Sequence, residues 1–224
     1  MYFKKINMIF IHIPKNAGTS IEESIWEYYG DELPSIIKKL IKMSKAPIVC
    51  DVLVKKKLYE NKIAEIVSTF FIKFYHKTIL DYKADISKNN PITFTVVRHP
   101  QNRLISLYKY MQFYKYISFE EFLKKFVLNC KSHNFSSRFT TTQVSFLCNE
   151  TGNLDERIHI LRYETLDLDW YNFCKKYDIK CYKLVYENKS VTNKSVDVIW
   201  TDEMRKIVYD KYKDDFTTFG YNIY

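Results

Sequence analysis

The stretch Ile6-Asn7-Met8-Ile9-Phe10-Ile11-His12-Ile13-Pro14-Lys15-Asn16-Ala17-Gly18-Thr19-Ser20 decides the fold. Residues 6–13 form an apolar run broken only by Asn7 and His12. A continuous run, unlike an alternating one, suits a parallel strand buried on both faces. Pro14 to Gly18 reads as a turn. Thr19-Ser20-Ile21-Glu22-Glu23 then opens a helix, with hydroxyl caps and acids placed in its first turn.

A strand, a tight loop and a helix start make a general phosphate-holding device. The first amides of a helix lack intrahelical acceptors. The helix dipole adds positive potential there, and loop amides can form an anion nest. Gly18 is expected to let backbone approach the anion and to supply a φ that other residues avoid. Thr19 and Ser20 offer hydroxyl donors, and Lys15 a full charge. The loop is not a Walker A motif, because its lysine precedes the glycine instead of following it. Read alone, an ordinary strand–turn–helix junction that carries a lysine also fits.

A second strand is expected at 91–97, Pro-Ile-Thr-Phe-Thr-Val-Val, rich in β-branched residues. Arg98 stands at its end. Ligands of open α/β sheets bind outside the carboxyl ends of the strands, and a guanidinium there offers a fork of donors suited to phosphate. Pro100 suits the first position of a helix over 101–114. Ser106 lies two turns into that helix, placed to reach the same anion, whereas Arg103 faces elsewhere. Structural ion pairs are the competing reading of both arginines.

Further helices are expected at 35–46, 118–129, 167–177 and 201–213, with a strand at 157–161 and a closing turn at Gly220-Tyr221. Residues 57–72 read as a helix or a helix running into a strand. Strands alternating with helices give an α/β fold: one domain over 1–224, with a mostly parallel central sheet flanked by helices.

Composition bounds the rest. The chain has 224 residues, 46% hydrophobic and 17% aromatic, which excludes a disordered polypeptide. Its net charge of +9 favours an anionic partner without choosing one. No helix-turn-helix, zinc-finger or RNA-recognition signature accompanies that charge. Cys50, Cys130, Cys148, Cys174 and Cys181 lack the spacings of a zinc site, so no metal is expected. Reduced thiols are the simplest reading, and a Cys130–Cys148 bridge stays open. The N-terminal apolar run is short and lacks a small-residue cleavage site, so it reads as a strand and not as a signal peptide. With no transmembrane stretch, a cytoplasmic location is expected.

The two motifs together resemble the PAPS-dependent sulfotransferase superfamily, especially its glycan branch. Phe10 to Ser20 is similar to the family's 5′-phosphosulfate loop, with Asn16 where members often carry threonine. Val97-Arg98-His99-Pro100 through Arg103 to Ser106 is similar to its 3′-phosphate motif. Gln143 to Cys148, Ile160 to Leu166 and the Asp215–Tyr221 tail resemble later segments, so the likeness spans nearly the whole chain. It implies a nucleotide-binding fold like that of P-loop proteins and a metal-free transfer of sulfuryl from 3′-phosphoadenosine 5′-phosphosulfate (PAPS, leaving PAP) to a hydroxyl, here expected on a carbohydrate. It further implies cofactor contacts from Lys15, Asn16, Ala17, Gly18, Thr19 and Ser20, from Arg98 and Ser106, and from Tyr163, Lys189 and Ser190. Lys15 would stabilise the leaving phosphate. Phe74 to Tyr82 resembles the histidine-bearing segment of uronosyl 2-O-sulfotransferases, which makes His76 the candidate base. A structural histidine is its plainer reading, and a carboxylate serves in other branches. Glu22 and Glu23 read as helix-start acids, and His12 and His159 as packed or structural, while His99 sits inside the second motif, where other members often carry aspartate. A kinase with a degenerate phosphate loop, a basic nucleic-acid-binding module and a catalytically dead homologue are the alternatives.

Overall fold

The computed structural model describes residues 1–29, 76–128, 135–185 and 197–223. The expected helices at 35–46 and 57–72, with Cys50, Cys130, Lys189 and Ser190, lie outside them. The described residues fall into two compact units.

The first unit holds residues 1–29, 76–98 and 145–185 and contains a four-stranded sheet in the order β1-β2-β3-β4. The strands are β1 (Tyr2–Phe3), β2 (Met8–Ile11), β3 (Ile92–Val97) and β4 (Ile158–Arg162). β2, β3 and β4 run parallel, as the apolar runs predict; the two-residue β1 pairs antiparallel with β2. All four residues of β2 are buried. Helices Gly18–Tyr29 and Leu166–Lys176 pack on the face that carries Phe10, Phe94, Val96 and Leu161. Phe94 is the centre of this core: its ring lies 4.9 Å from Phe10, 4.7 Å from Phe173 and 5.8 Å from Trp170. Trp170 is fully buried and satisfies its indole N–H on the Cys181 carbonyl at 2.8 Å. This follows the rule that a buried aromatic donor keeps a partner.

Register then decides what meets at the sheet's carboxyl edge. Ile11 pairs with Thr95, and Val97 with Arg162. The residues next in the chain, His12 onward, Arg98 and Tyr163, therefore leave three adjacent strands at one edge.

The second unit holds residues 99–128, 135–144 and 197–223 and is helical. Helix Pro100–Tyr110 begins on its proline, as predicted. The helix expected at 118–129 is Phe119–Phe122 continuing as a π-helix over Leu123–Leu128. Helix Asp202–Phe219 runs longer than the 201–213 expected, from a Thr201 hydroxyl cap to a left-handed Gly220 at φ 64°. Leu104, Leu107, Phe122, Val127, Val208 and Phe216 belong to this unit's own core.

Candidate active site

The loop after β2 is bent by residues other than its glycine. Lys15 (φ 70°) and Ala17 (φ 62°) take the left-handed conformation, which costs a non-glycine residue about 1–3 kcal/mol and persists only where surroundings enforce it. Three contacts enforce it here. The Asn16 amide, 1% exposed, donates to the Val96 carbonyl at 2.8 Å. Arg98 Nη1 donates to the Lys15 carbonyl at 3.1 Å. The Arg98 guanidinium lies 3.8 Å from the centroid of the Tyr163 ring. Tyr163 thus stands beside Arg98.

Gly18 corrects the sequence reading. Its φ is not positive. A Cβ at this position would fall 2.0 Å from His12 Nε2 and 2.3 Å from two ring carbons. Glycine is needed because the imidazole occupies that space. Helix Gly18–Tyr29 begins at this residue, one position before Thr19, and its first bond past the loop runs from the Ile21 amide to the Ala17 carbonyl at 3.2 Å. The amides of Gly18, Thr19 and Ser20 lie ahead of any intrahelical acceptor. Further along, Ser24 Oγ donates to the Ser20 carbonyl at 2.7 Å and accepts from the Val185 amide at 2.8 Å, which ties the 181–185 segment to the helix.

Asn16 is a second correction. The amide expected to face the nucleotide is spent on the end of β3. It shapes the loop, and Lys15, the first-turn amides and the Thr19 and Ser20 hydroxyls are the donor groups that the loop and helix start carry.

The electrostatics of this unit suit an anion. Burial and, after it, the positive charge of Arg98 lower the Lys15 pKa from 10.5 to about 7. Lys15 in the loop before a helix N-terminus supplies what a phosphate needs. The donor set therefore fits the 5′-phosphosulfate end of a nucleotide.

Behind the loop lie residues that the sequence reading misjudged. Glu22 is fully buried and is no helix-start acid: His12 Nδ1 donates to its Oε1 at 3.0 Å. The signal was available in the helix period, since Gly18, Ile21, Glu22 and Ile25 share the buried side of one helix. His76, 5% exposed, donates from Nδ1 to the His12 carbonyl at 3.3 Å, and the two rings meet edge to face at 4.9 Å. The segment singled out for its histidine is thus brought against the phosphate loop.

In the second unit Ser106 is half-buried on helix Pro100–Tyr110. Arg103, 2% exposed, is structural and donates to the Thr141 and Phe139 carbonyls. His99 is also structural: its Nε2 donates to the Asn222 carbonyl at 2.6 Å, and its ring meets Phe216 and Tyr221. On β4, His159 bonds the Tyr177 hydroxyl.

The fold and loop define an α/β protein in which a strand passes through a tight loop into a helix, the general arrangement that holds phosphate groups. The model of the sulfotransferase family matches residues 1–222, and the chain belongs to that family. It is an enzyme of sulfuryl transfer, for which PAPS is the general donor and a hydroxyl compound the acceptor. No curated protein and no solved structure matches it. Among the described residues no helix is long and apolar enough to cross a membrane.

Proposed function

We propose that the acceptor hydroxyl belongs to a carbohydrate and that His76 is the base that takes its proton. The observation carrying the base assignment is the bond from His76 Nδ1 to the carbonyl of His12, the residue that leads into the loop. A carbonyl oxygen can only accept, so the proton of His76 sits on Nδ1 and a neutral ring has its basic pair on Nε2. The net charge of +9 supports an acidic saccharide as the acceptor.

Bound PAPS supplies the sulfuryl group and a bisphosphate leaving group. Lys15 and the amides of Gly18, Thr19 and Ser20 hold the 5′ end. Arg98 would hold the 3′-phosphate, with Tyr163 behind the guanidinium. As the acceptor oxygen bonds to sulfur, its proton passes to His76 Nε2. Lys15 would stabilise the negative charge that the departing 5′-phosphate takes up. Placing donors where charge develops is the protein's main contribution to such a transfer. Radiolabelled sulfuryl transfer to a panel of acidic and neutral glycans tests the acceptor class. His76→Ala should cut turnover by roughly 10²–10⁴-fold, the span of general-base catalysis, with PAP affinity near that of the unaltered chain. Full turnover in that variant refutes the base assignment, and transfer only to non-carbohydrate hydroxyls refutes the acceptor class.

A further inference from the structure

Glu22 is a carboxylate with no exposed surface, so it cannot touch an acceptor. Burying such a charge is costly unless hydrogen bonds return the lost hydration. Its bond is to His12 Nδ1 at 3.0 Å, and the carbonyl of the same His12 accepts from His76 Nδ1 at 3.3 Å. The polarity of both contacts is fixed, because a carboxylate and a carbonyl accept. Both imidazoles therefore carry a proton on Nδ1. The edge-to-face contact at 4.9 Å makes the orientation of one ring depend on the other. The His12 ring lies over Gly18, where an added Cβ would fall 2.0 Å from its Nε2, so any side chain at that position would displace the ring.

We propose that Glu22 is a positioning residue for His76. Through His12 it fixes the ring and the carbonyl that hold the His76 proton on Nδ1, so that Nε2 is the nitrogen that faces chemistry. The arrangement follows the general logic by which a buried carboxylate sets the tautomer and direction of a histidine, extended here by one residue. It rests on the reading of His76 as the base. A pair that only braced the loop would act on nucleotide binding and leave His76 unmoved.

The test uses the full chain labelled with ¹⁵N-histidine, with long-range ¹⁵N–¹H spectra recorded near pH 7.5 and His76 assigned through His76→Gln. In the unaltered chain His76 should be the Nδ1–H tautomer. Glu22→Gln keeps the shape and removes the charge. It should lower the Nδ1–H share of His76 from roughly nine-tenths to about half, with PAP affinity by calorimetry within about threefold. Glu22→Asp, which keeps the charge on a shorter arm, should give an intermediate spectrum and serves where Glu22→Gln does not fold. An Nε2–H tautomer in the unaltered chain overturns the proposal. So do His76 signals that neither variant moves, or a change confined to PAP affinity. Full turnover by His76→Ala would sink the base reading and leave the spectra as they are. Spectra unmoved by Glu22→Gln would sink the positioning role with the base reading intact.

Discussion

Titration of Lys15 gives the loop a thermodynamic signature. In the unliganded protein its pKa falls from 10.5 to about 7, first by burial and then by the charge of Arg98. A shift of that size is on the order of 5 kcal/mol between the protonation states, at about 1.4 kcal/mol per unit. An anion seated on the loop offsets both causes with its own negative charge, so binding should draw a proton onto the lysine. At pH 8 an ammonium of pKa near 7 is roughly one-tenth protonated, and binding PAP should take up about 0.9 proton. At pH 6 the lysine is already charged and contributes about 0.1. The ligand's phosphates, with second pKa values near 6, are already ionised at pH 8 and do not mask the signal. Calorimetry in buffers of different ionisation enthalpy reads the uptake as a slope, and Lys15→Met should remove it. Stability carries the same sign. Between about pH 7 and 10.5 the unfolded chain holds a proton that the folded chain lacks, so stability rises with pH there. Lys15→Met should therefore stabilise the unliganded protein most below pH 7, by up to a few kcal/mol, with the gain fading toward pH 10.5. Zero uptake at pH 8, or equal uptake in Lys15→Met, would refute the argument.

Three further outcomes follow from the loop's geometry. Gly18→Ala places a methyl 2.0 Å from His12 Nε2. It should cost about 3 kcal/mol, near the upper end for overpacking, and lower Tm by roughly 6–12 °C for a chain of this size. His12→Ala in the same chain opens that space, so thermal melts should show the double variant less damaged than the two losses summed. Arg98→Lys keeps the charge and loses both the Lys15 carbonyl bond and the flat contact with Tyr163. It should weaken adenosine 3′,5′-bisphosphate by about 30-fold or more and adenosine 5′-monophosphate by less, the second loss coming through the loop; equal losses in calorimetry would remove Arg98 from the 3′-phosphate. Asn16→Ala leaves the Val96 carbonyl unmatched in a buried place and should cost about 1–3 kcal/mol in denaturant melts.

Those positions also mark where the sequence was legible and where it was not. β2 and β3 could be read because strands buried on both faces write their burial into continuous apolar runs. The helix start at Pro100 could be read because proline lacks only an N–H that a first turn does not use. Arg98 and Lys15, singled out by residue type at a strand end and in the loop, do meet, through the guanidinium and the Lys15 carbonyl. The antiparallel β1 was not legible, since two residues carry no period. Gly18 was identified for a conformation when its use is space, and that could not be known without the position of His12. Glu22 was misread because a glutamate early in a helix normally faces water, and only the stripe of Gly18, Ile21, Glu22 and Ile25 argued otherwise. Asn16 was given to the ligand because an amide in a loop can donate, and the parallel register that puts the Val96 carbonyl within its reach is a tertiary fact. The misreadings share one cause. Sequence pattern reports which atoms can bind an anion, but the groups that hold those atoms in place are chosen by contacts between segments as distant as His12 and His76, or Asn16 and Val96. Function was legible in the first set. The second set decides whether a lysine beside a glycine becomes a working site, and here it consists of one buried carboxylate, one amide and a histidine ring that admits no neighbour larger than glycine.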